Sequence, residues 1–93
     1  MLSDIPKSLA KVGKEALDKE ICRLGMIAEL DAINLYEQMA AMTENVNIKT
    51  VLLDIAKEEK THTGEFQALL LGLDAEQQQE LANGKKEVDE KTK

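Results

Sequence analysis

Three residues in this chain have the types and the spacing of metal ligands: Glu29, Glu59 and His62. Glu59 and His62 are three residues apart, so on a helix both side chains project from the same face. Each of the three lies on an otherwise apolar line of residues, where a carboxylate is costly unless it is paired or binds a metal. Two carboxylates with one imidazole, and no cluster of cysteines, favour iron or manganese over structural zinc.

The apolar lines that carry these residues follow from the spacing of the hydrophobic side chains. In the second helical segment, alternating steps of three and four residues pass through Glu59 and His62. That line is Leu52, Ile55, Glu59, His62, Phe66, Leu69 and Leu73. The corresponding line in the first segment is Cys22, Met26, Glu29, Ile33, Tyr36 and Ala40. Two facing helices would therefore bring both glutamates and the histidine together.

Each candidate residue also has an ordinary structural explanation. Glu29 alone could lie at the edge of an interface with its head in water, and Tyr36 alone could be core packing. His62 alone could be a hydrogen-bonded histidine, and Glu58 beside Glu59 fits a solvated charge run. The combination favours a metal site, because a glutamate on one helix with Glu-x-x-His on the next is half of a di-iron carboxylate site.

The elements that must position these residues are helices, and the predicted fold class is all-α. The expected ranges are a loose arm at 1–13, helices at 14–42, 48–71 and 75–82, and a disordered tail at 85–93. The first two helices form an antiparallel two-helix hairpin, and the third is a short C-terminal helix. The whole chain, 1–93, is predicted to be one domain.

Composition and charge narrow the function classes. Hydrophobic residues make up 43% of the chain and charged residues 32%, with one proline, which excludes a loop-rich protein. The net charge of −6 argues against nucleic acid and against anionic membrane surfaces as partners. No apolar run approaches the ~18 residues that a membrane span needs. A single cysteine, Cys22, cannot form an internal disulfide, so we expect a soluble, cytoplasmic protein.

One hairpin cannot supply a complete site of this kind. A full site takes a Glu from each of two helices and Glu-x-x-His from each of two others, and this chain has one histidine. The first helix also carries a second apolar line, and the two lines together are wider than the surface that one partner helix can cover. That line is Leu17, Ile21, Leu24, Ala28, Leu35 and Met42. A two-fold homodimer resolves both problems and gives a four-helix bundle.

The segments AELDAINLYEQMA and LLDIAKEEKTHTGEFQALL closely resemble the encapsulated ferritins. They are similar also to the ferritin-like domains fused in some archaea to the front of an encapsulin shell protein. The resemblance covers about residues 14–84 and implies a ferritin-like four-helix bundle with two iron ions at the dimer interface. It implies that Glu29, Glu59 and His62 are the iron ligands, with Glu59 bridging and Tyr36 beside the metal. It also implies that the dimers assemble into a ring-shaped decamer.

The chain departs from the family pattern at several positions. Leu35 stands where some members have a Trp, and Ala28 replaces one carboxylate of an acidic cluster that collects iron. Asp31 remains from that cluster as a candidate for the path by which iron enters. The tail KKEVDEKTK does not resemble a shell-targeting peptide, so packaging in an encapsulin shell or fusion to one stays open.

The activity that the resemblance implies is that of a ferroxidase, which oxidises Fe(II) to Fe(III) for iron storage or detoxification. An encapsulin nanocompartment in the cytoplasm is the expected location. One alternative is a rubrerythrin-like peroxide-scavenging oxidase, working with manganese, iron or another divalent metal and an external electron donor. The other alternative is a metal-free structural helical assembly, which would fold and assemble fully without metal.

Overall fold

A computed structural model of the chain describes residues 13–93, which form three helices and no strand. Helix α1 spans Lys14–Met42, α2 spans Val46–Leu73 and α3 spans Ala75–Lys91. The expected loose arm lies outside the described residues, apart from Gly13 at the start of α1. The prediction of an all-α chain is confirmed. None of these three helices has an apolar stretch that could span a bilayer.

A short turn joins α1 to α2 and reverses the chain. The backbone N–H of Asn45 donates to Oγ1 of Thr43 at 3.1 Å. Oδ1 of Asn45 accepts from the N–H groups of Asn47 and Ile48 at 3.0 and 3.1 Å. Asn45 is therefore the N-cap, and α2 begins at Val46, two residues before the expected start.

Asp74 ends α2 and begins α3. The sequence predicts that the second helix ends at residue 71, but α2 continues through Gly72 to Leu73. Oδ1 of Asp74 accepts from the N–H of Gln77 at 3.0 Å, which caps α3. Oδ2 of Asp74 accepts from Nη2 of Arg23 at 3.1 Å. This ion pair ties the corner between α2 and α3 to α1.

Helix α3 is about twice as long as expected. We expected a helix at 75–82 and a disordered tail at 85–93, but α3 continues through Gly84 to Lys91. None of the five glycines has a positive φ, so Gly84 does not terminate the helix. Contacts between side chains four residues apart stabilise this longer helix. In one of them Nζ of Lys85 donates to Oδ2 of Asp89 at 2.8 Å. Residues 78–93 are exposed throughout, so local interactions hold this part helical.

The core is a narrow seam between α1 and α2. Its buried residues are Cys22, Ile33, Ala40, Ala56 and Leu70. Three of them lie on the α1 line that also carries Glu29, so α1 turns that line towards α2. In α2 the predicted apolar line does not match the buried residues near the end of the helix, because Leu69 and Leu73 are exposed while Leu70 is buried. A period of 3.6 residues accounts for this drift from a strict repeat of three and four.

Little of the second apolar line of α1 is covered by the part of the chain that the structure describes. Ile21 and Leu35 on that line are exposed, and so is Met42 near the turn. Ile27 and Leu30 add to the exposed apolar surface, with 38% and 50% of each residue accessible. A row of large apolar residues on one helix is typical of an interaction surface.

Candidate metal centre

Glu29, Glu59 and His62 lie together between α1 and α2, and one ligand atom from each lies within 4.8 Å of the others. Nδ1 of His62 is 3.4 Å from Oε2 of Glu59 and 3.5 Å from Oε2 of Glu29. Glu59 and His62 come from the same face of α2 one turn apart, and Glu29 comes from α1. The predicted juxtaposition of these three residues therefore occurs within one chain.

The two carboxylates lie deeper than the imidazole. The side chains of Glu29 and Glu59 are 21% and 18% exposed, whereas that of His62 is 44% exposed. Oε2 of Glu29 is buried and has no hydrogen-bond partner among residues 13–93. A buried carboxylate oxygen without a partner is costly, because the oxygen has lost its hydration.

The donor set fits a divalent transition metal. Metal–ligand bonds of about 2 Å place adjacent ligand atoms about 3 Å apart and opposite ones about 4 Å apart. Nδ1 of His62 lies within this range of both carboxylates, at 3.4 and 3.5 Å, and one ligand atom from each of the three residues lies within 4.8 Å of the others. A cation bound here would also provide the partner that Oε2 of Glu29 lacks. One imidazole with hard carboxylate oxygens suits iron or manganese.

Two further contacts between α1 and α2 join the helices near these ligands, and the sequence patterns did not predict either. Nζ of Lys60 is 3.2 Å from Oε2 of Glu37, in an ion pair that is largely exposed. Gly25 faces the ring of Phe66 so closely that an added Cβ would lie 2.7–2.8 Å from three ring carbons. The only sequence signal for the second contact was a glycine inside a long helix, opposite the line that carries Phe66.

The other candidate residues lie outside the group of three. Tyr36 is half-buried seven residues after Glu29 on the same face of α1, about 10 Å along the axis. Glu29 lies on the N-terminal side of Tyr36, which is the direction in which long helical side chains usually extend. Asp31 is two residues from Glu29, on a different face of α1, and does not belong to the group. Cys22 is free and buried in the seam.

Comparison with known proteins gives a consistent family assignment. A family model described as Rubrerythrin matches residues 13–93. The chain is 57% identical to the chain in a crystal structure of the encapsulated ferritin domain from Pyrococcus furiosus. That match has a TM-score of 0.84 and covers 88% of this chain and 84% of the other.

Two longer proteins are also similar to this chain. It is 63% identical over 73 residues to a ferritin-like-encapsulin shell fusion protein of Pyrococcus furiosus, covering 78% of this chain and 21% of that protein. It is 39% identical over 69 residues to the encapsulin nanocompartment cargo protein EncC of Myxococcus xanthus, covering 71% and 53% of the two. The matched region is thus about a fifth of the first relative and about half of the second. The fold and the predicted resemblance agree with these matches: this chain belongs to the rubrerythrin family and has the ferritin-like fold of an encapsulated ferritin domain.

Proposed function

We propose that this protein is a ferroxidase that oxidises Fe(II) at a site shared by two copies of the chain. The observation that carries the proposal is the convergence of Glu29, Glu59 and His62, with one buried carboxylate oxygen left without a hydrogen bond. Iron is the substrate, and the residues of this chain bind it and fix the separation of the ions. Storage of the product would require a compartment outside these helices.

The chain's ligands have separate roles in this proposal. Glu29 contributes its unpaired oxygen from α1, and His62 contributes a neutral ring nitrogen from α2. Glu59 is proposed to bridge the two ions, as the family resemblance implies. Tyr36 is proposed to lie beside the site and Asp31 to take part in the path by which iron enters. Each Fe(II) gives one electron to O₂, which takes up two protons and leaves as hydrogen peroxide.

A second copy of the chain completes the proposed site. One chain supplies half of the ligands that a di-iron carboxylate site uses. The side chain of His62 is 44% exposed, so the site is open on one side, where partner ligands could approach. The exposed apolar residues of α1, such as Ile27 and Leu30, would be covered by a two-fold partner. A ring-shaped decamer of such dimers is the larger assembly that we propose from the resemblance.

An encapsulin shell is the partner that we propose for iron storage. One relative is named as a fusion to an encapsulin shell and the other as an encapsulin cargo protein. A hairpin dimer encloses no volume large enough to hold a mineral. We therefore propose a location inside an encapsulin nanocompartment in the cytoplasm, reached either by fusion or as cargo.

The match to the Rubrerythrin family model favours a second candidate, a di-metal oxidase that reduces peroxide. In that reaction two electrons convert hydrogen peroxide and two protons to water. The 93 residues contain one cysteine, so a cysteine-rich electron donor would have to be a separate module or protein. Peroxide turnover that stops without an added electron donor would favour this candidate over the ferroxidase.

The test of the ferroxidase proposal is the rate of Fe(II) oxidation in air, followed by the absorbance of the Fe(III) product. Glu59→Ala removes the bridging ligand from both halves of a symmetric site, so oxidation should fall to the rate of protein-free buffer. His62→Ala removes one ligand per chain and should lower the rate at least about tenfold.

Glu58→Ala is the matched control, because Glu58 is the adjacent glutamate in α2 and is exposed. Its oxidation rate should stay within about twofold of the unmodified protein. A Glu59→Ala variant that keeps its rate would exclude this site as the place of oxidation.

A further inference from the structure

A close contact between α1 and α2 lies one helical turn from the candidate metal centre. Gly25 precedes Glu29 by four residues in α1, and Phe66 follows His62 by four residues in α2. Because the two helices are antiparallel, both positions are displaced from the ligands in the same direction, by about 6 Å along the axis. The contact of Gly25 with Phe66 is therefore the layer of packing next to the ligands.

The position of the Phe66 ring requires a glycine at residue 25. A Cβ added there would lie 2.7 Å from Cδ1 and Cε1 of Phe66 and 2.8 Å from Cζ. Carbon atoms in ordinary contact are about 3.5–4.0 Å apart, so a methyl group would displace the ring or the helix by about 1 Å. Gly64 and Gly72, which also lie within helices, have no atom within 4 Å of an added Cβ. Gly25 is thus the glycine at which a methyl group would strike the facing helix.

The geometry of the ligands depends on the separation of the two helices. Glu29 comes from α1 and His62 from α2, and the atoms that face each other are 3.5 Å apart. Functional constellations need their groups held to within about 0.5 Å. A displacement of about 1 Å in the adjacent layer would therefore change how well the ligands of both helices reach one ion.

We propose that Gly25 and Phe66 are positioning residues of the metal centre, which set the helix separation at which Glu29 meets Glu59 and His62. Neither residue binds metal; the ring of Phe66 lies against the α1 backbone at Gly25 and fixes the distance between the helices. The inference rests on the proposed function, because it assumes that the three ligands hold metal.

The experiment compares Gly25→Ala with Gly64→Ala. Both changes replace a glycine inside a helix with alanine, so both raise helix propensity alike. The probe is Co(II), titrated without oxygen, because its visible absorption reports ligand number and geometry. Gly25→Ala should weaken Co(II) binding about tenfold and alter the spectrum, with unchanged helical circular dichroism. Gly64→Ala should bind as the unmodified protein does.

The same comparison in a Phe66→Val background separates positioning from general packing. Phe66→Val removes all three ring carbons that the new methyl group would meet. The double variant Gly25→Ala/Phe66→Val should therefore bind Co(II) less than about twofold more weakly than Phe66→Val alone. If Gly25→Ala alone does not fold, the comparison of Phe66→Val with the double variant still tests whether the methyl group acts through the ring. Equal binding by Gly25→Ala and the unmodified protein, or the same loss in both backgrounds, would overturn the inference. Failure of the unmodified protein to bind Co(II) would instead overturn the proposed function.

Discussion

Among the individual residues, Glu29 gives the most direct support for a metal site, because one of its carboxylate oxygens is buried without a hydrogen bond. Oε2 of Glu29 is buried without a hydrogen bond, although Nδ1 of His62 lies 3.5 Å away. A protein that never bound a cation there would lose stability by keeping this carboxylate. A cation bound beside Glu29 would offset this cost, which is why we propose a metal at this position.

Glu29→Gln should reveal that cost. The substitution keeps the size of the side chain and removes its charge. Without metal, the variant should be as stable as the unmodified protein, or more stable by about 1 kcal/mol, because no buried charge is left unpaired. With Fe(II) added in the absence of oxygen, the unmodified protein should gain stability and the variant should gain little. Thermal unfolding followed by circular dichroism measures both effects.

Glu58→Gln is the control for this change. Its melting temperatures without metal and with Fe(II) should each lie within about 1 °C of those of the unmodified protein. A metal-free Glu29→Gln variant that is clearly less stable would mean that the Glu29 carboxylate already has a partner on which the fold depends. In that case the three residues would form a structural polar cluster.

The sequence was sufficient to predict which side chains meet at the site, because helical periodicity alone brings Glu29, Glu59 and His62 onto facing lines. It was not sufficient to predict how closely the helices approach. The contact of Gly25 with Phe66 depends on the rotamer of one ring and on the axial register of two helices. The roles of Tyr36 and Asp31 remain predictions, because each depends on groups that a second chain would contribute.

At the scale of the elements, Asp74 holds the corner where α2 passes into α3. Its carboxylate accepts from the backbone N–H of Gln77 and from the guanidinium of Arg23. The hydrogen bond from Gln77 and the charges of Lys19 and Arg23 hold the pKa of Asp74 below its ordinary value of 3.8, although partial desolvation opposes them. The charged form is therefore favoured by folding.

The melting temperature of Asp74→Asn, measured as a function of pH, tests whether the charge of Asp74 stabilises the fold. Asparagine can still cap α3 but carries no charge, so the variant should melt at a lower temperature than the unmodified protein at neutral pH. A pKa that is lowered on folding adds stability above 3.8, and this stability is lost as the pH falls through the folded-state value. The difference in melting temperature should therefore shrink below pH 3.8. A difference that is independent of pH would show that the charge is not responsible.

The ends of the helices were the part of the fold that sequence patterns predicted least well. The third helix was expected to end near Gly84, because glycine commonly ends helices by adopting a positive φ. Here Gly84 lies within the helix without a positive φ, and the ion pair of Lys85 with Asp89 supports the helix that continues to Lys91. The segment 85–93 is highly charged and has a single large apolar residue, Val88, so its composition predicts disorder, whereas pairing between its side chains favours a helix.

At the scale of the whole molecule, two features of residues 13–93 point to a partner. Its seam buries few large side chains, and a row of apolar residues on α1 remains exposed. Its three candidate metal ligands would be half of a di-iron set. A two-fold partner would cover the exposed row and supply the other half of the ligands, so we expect iron binding and assembly to be linked.

Iron should therefore stabilise the assembled form as well as the site. In a metal-free dimer, Glu29 and Glu59 from two chains would bring four carboxylates together at the interface, where like charges disfavour association. An ion that binds only the dimer stabilises it by mass action, by about 2.7 kcal/mol at a hundred times its dissociation constant.

The most direct test of the account is the native mass of the protein at neutral pH, measured together with its iron content. We predict two iron ions per two chains, a shift towards smaller species after chelation, and recovery of the larger species when iron is restored. The melting temperature should fall and recover in parallel. An assembly that keeps its mass and its melting temperature after chelation, or one that never takes up iron, would contradict the claim that two copies of this chain are joined around a di-iron site.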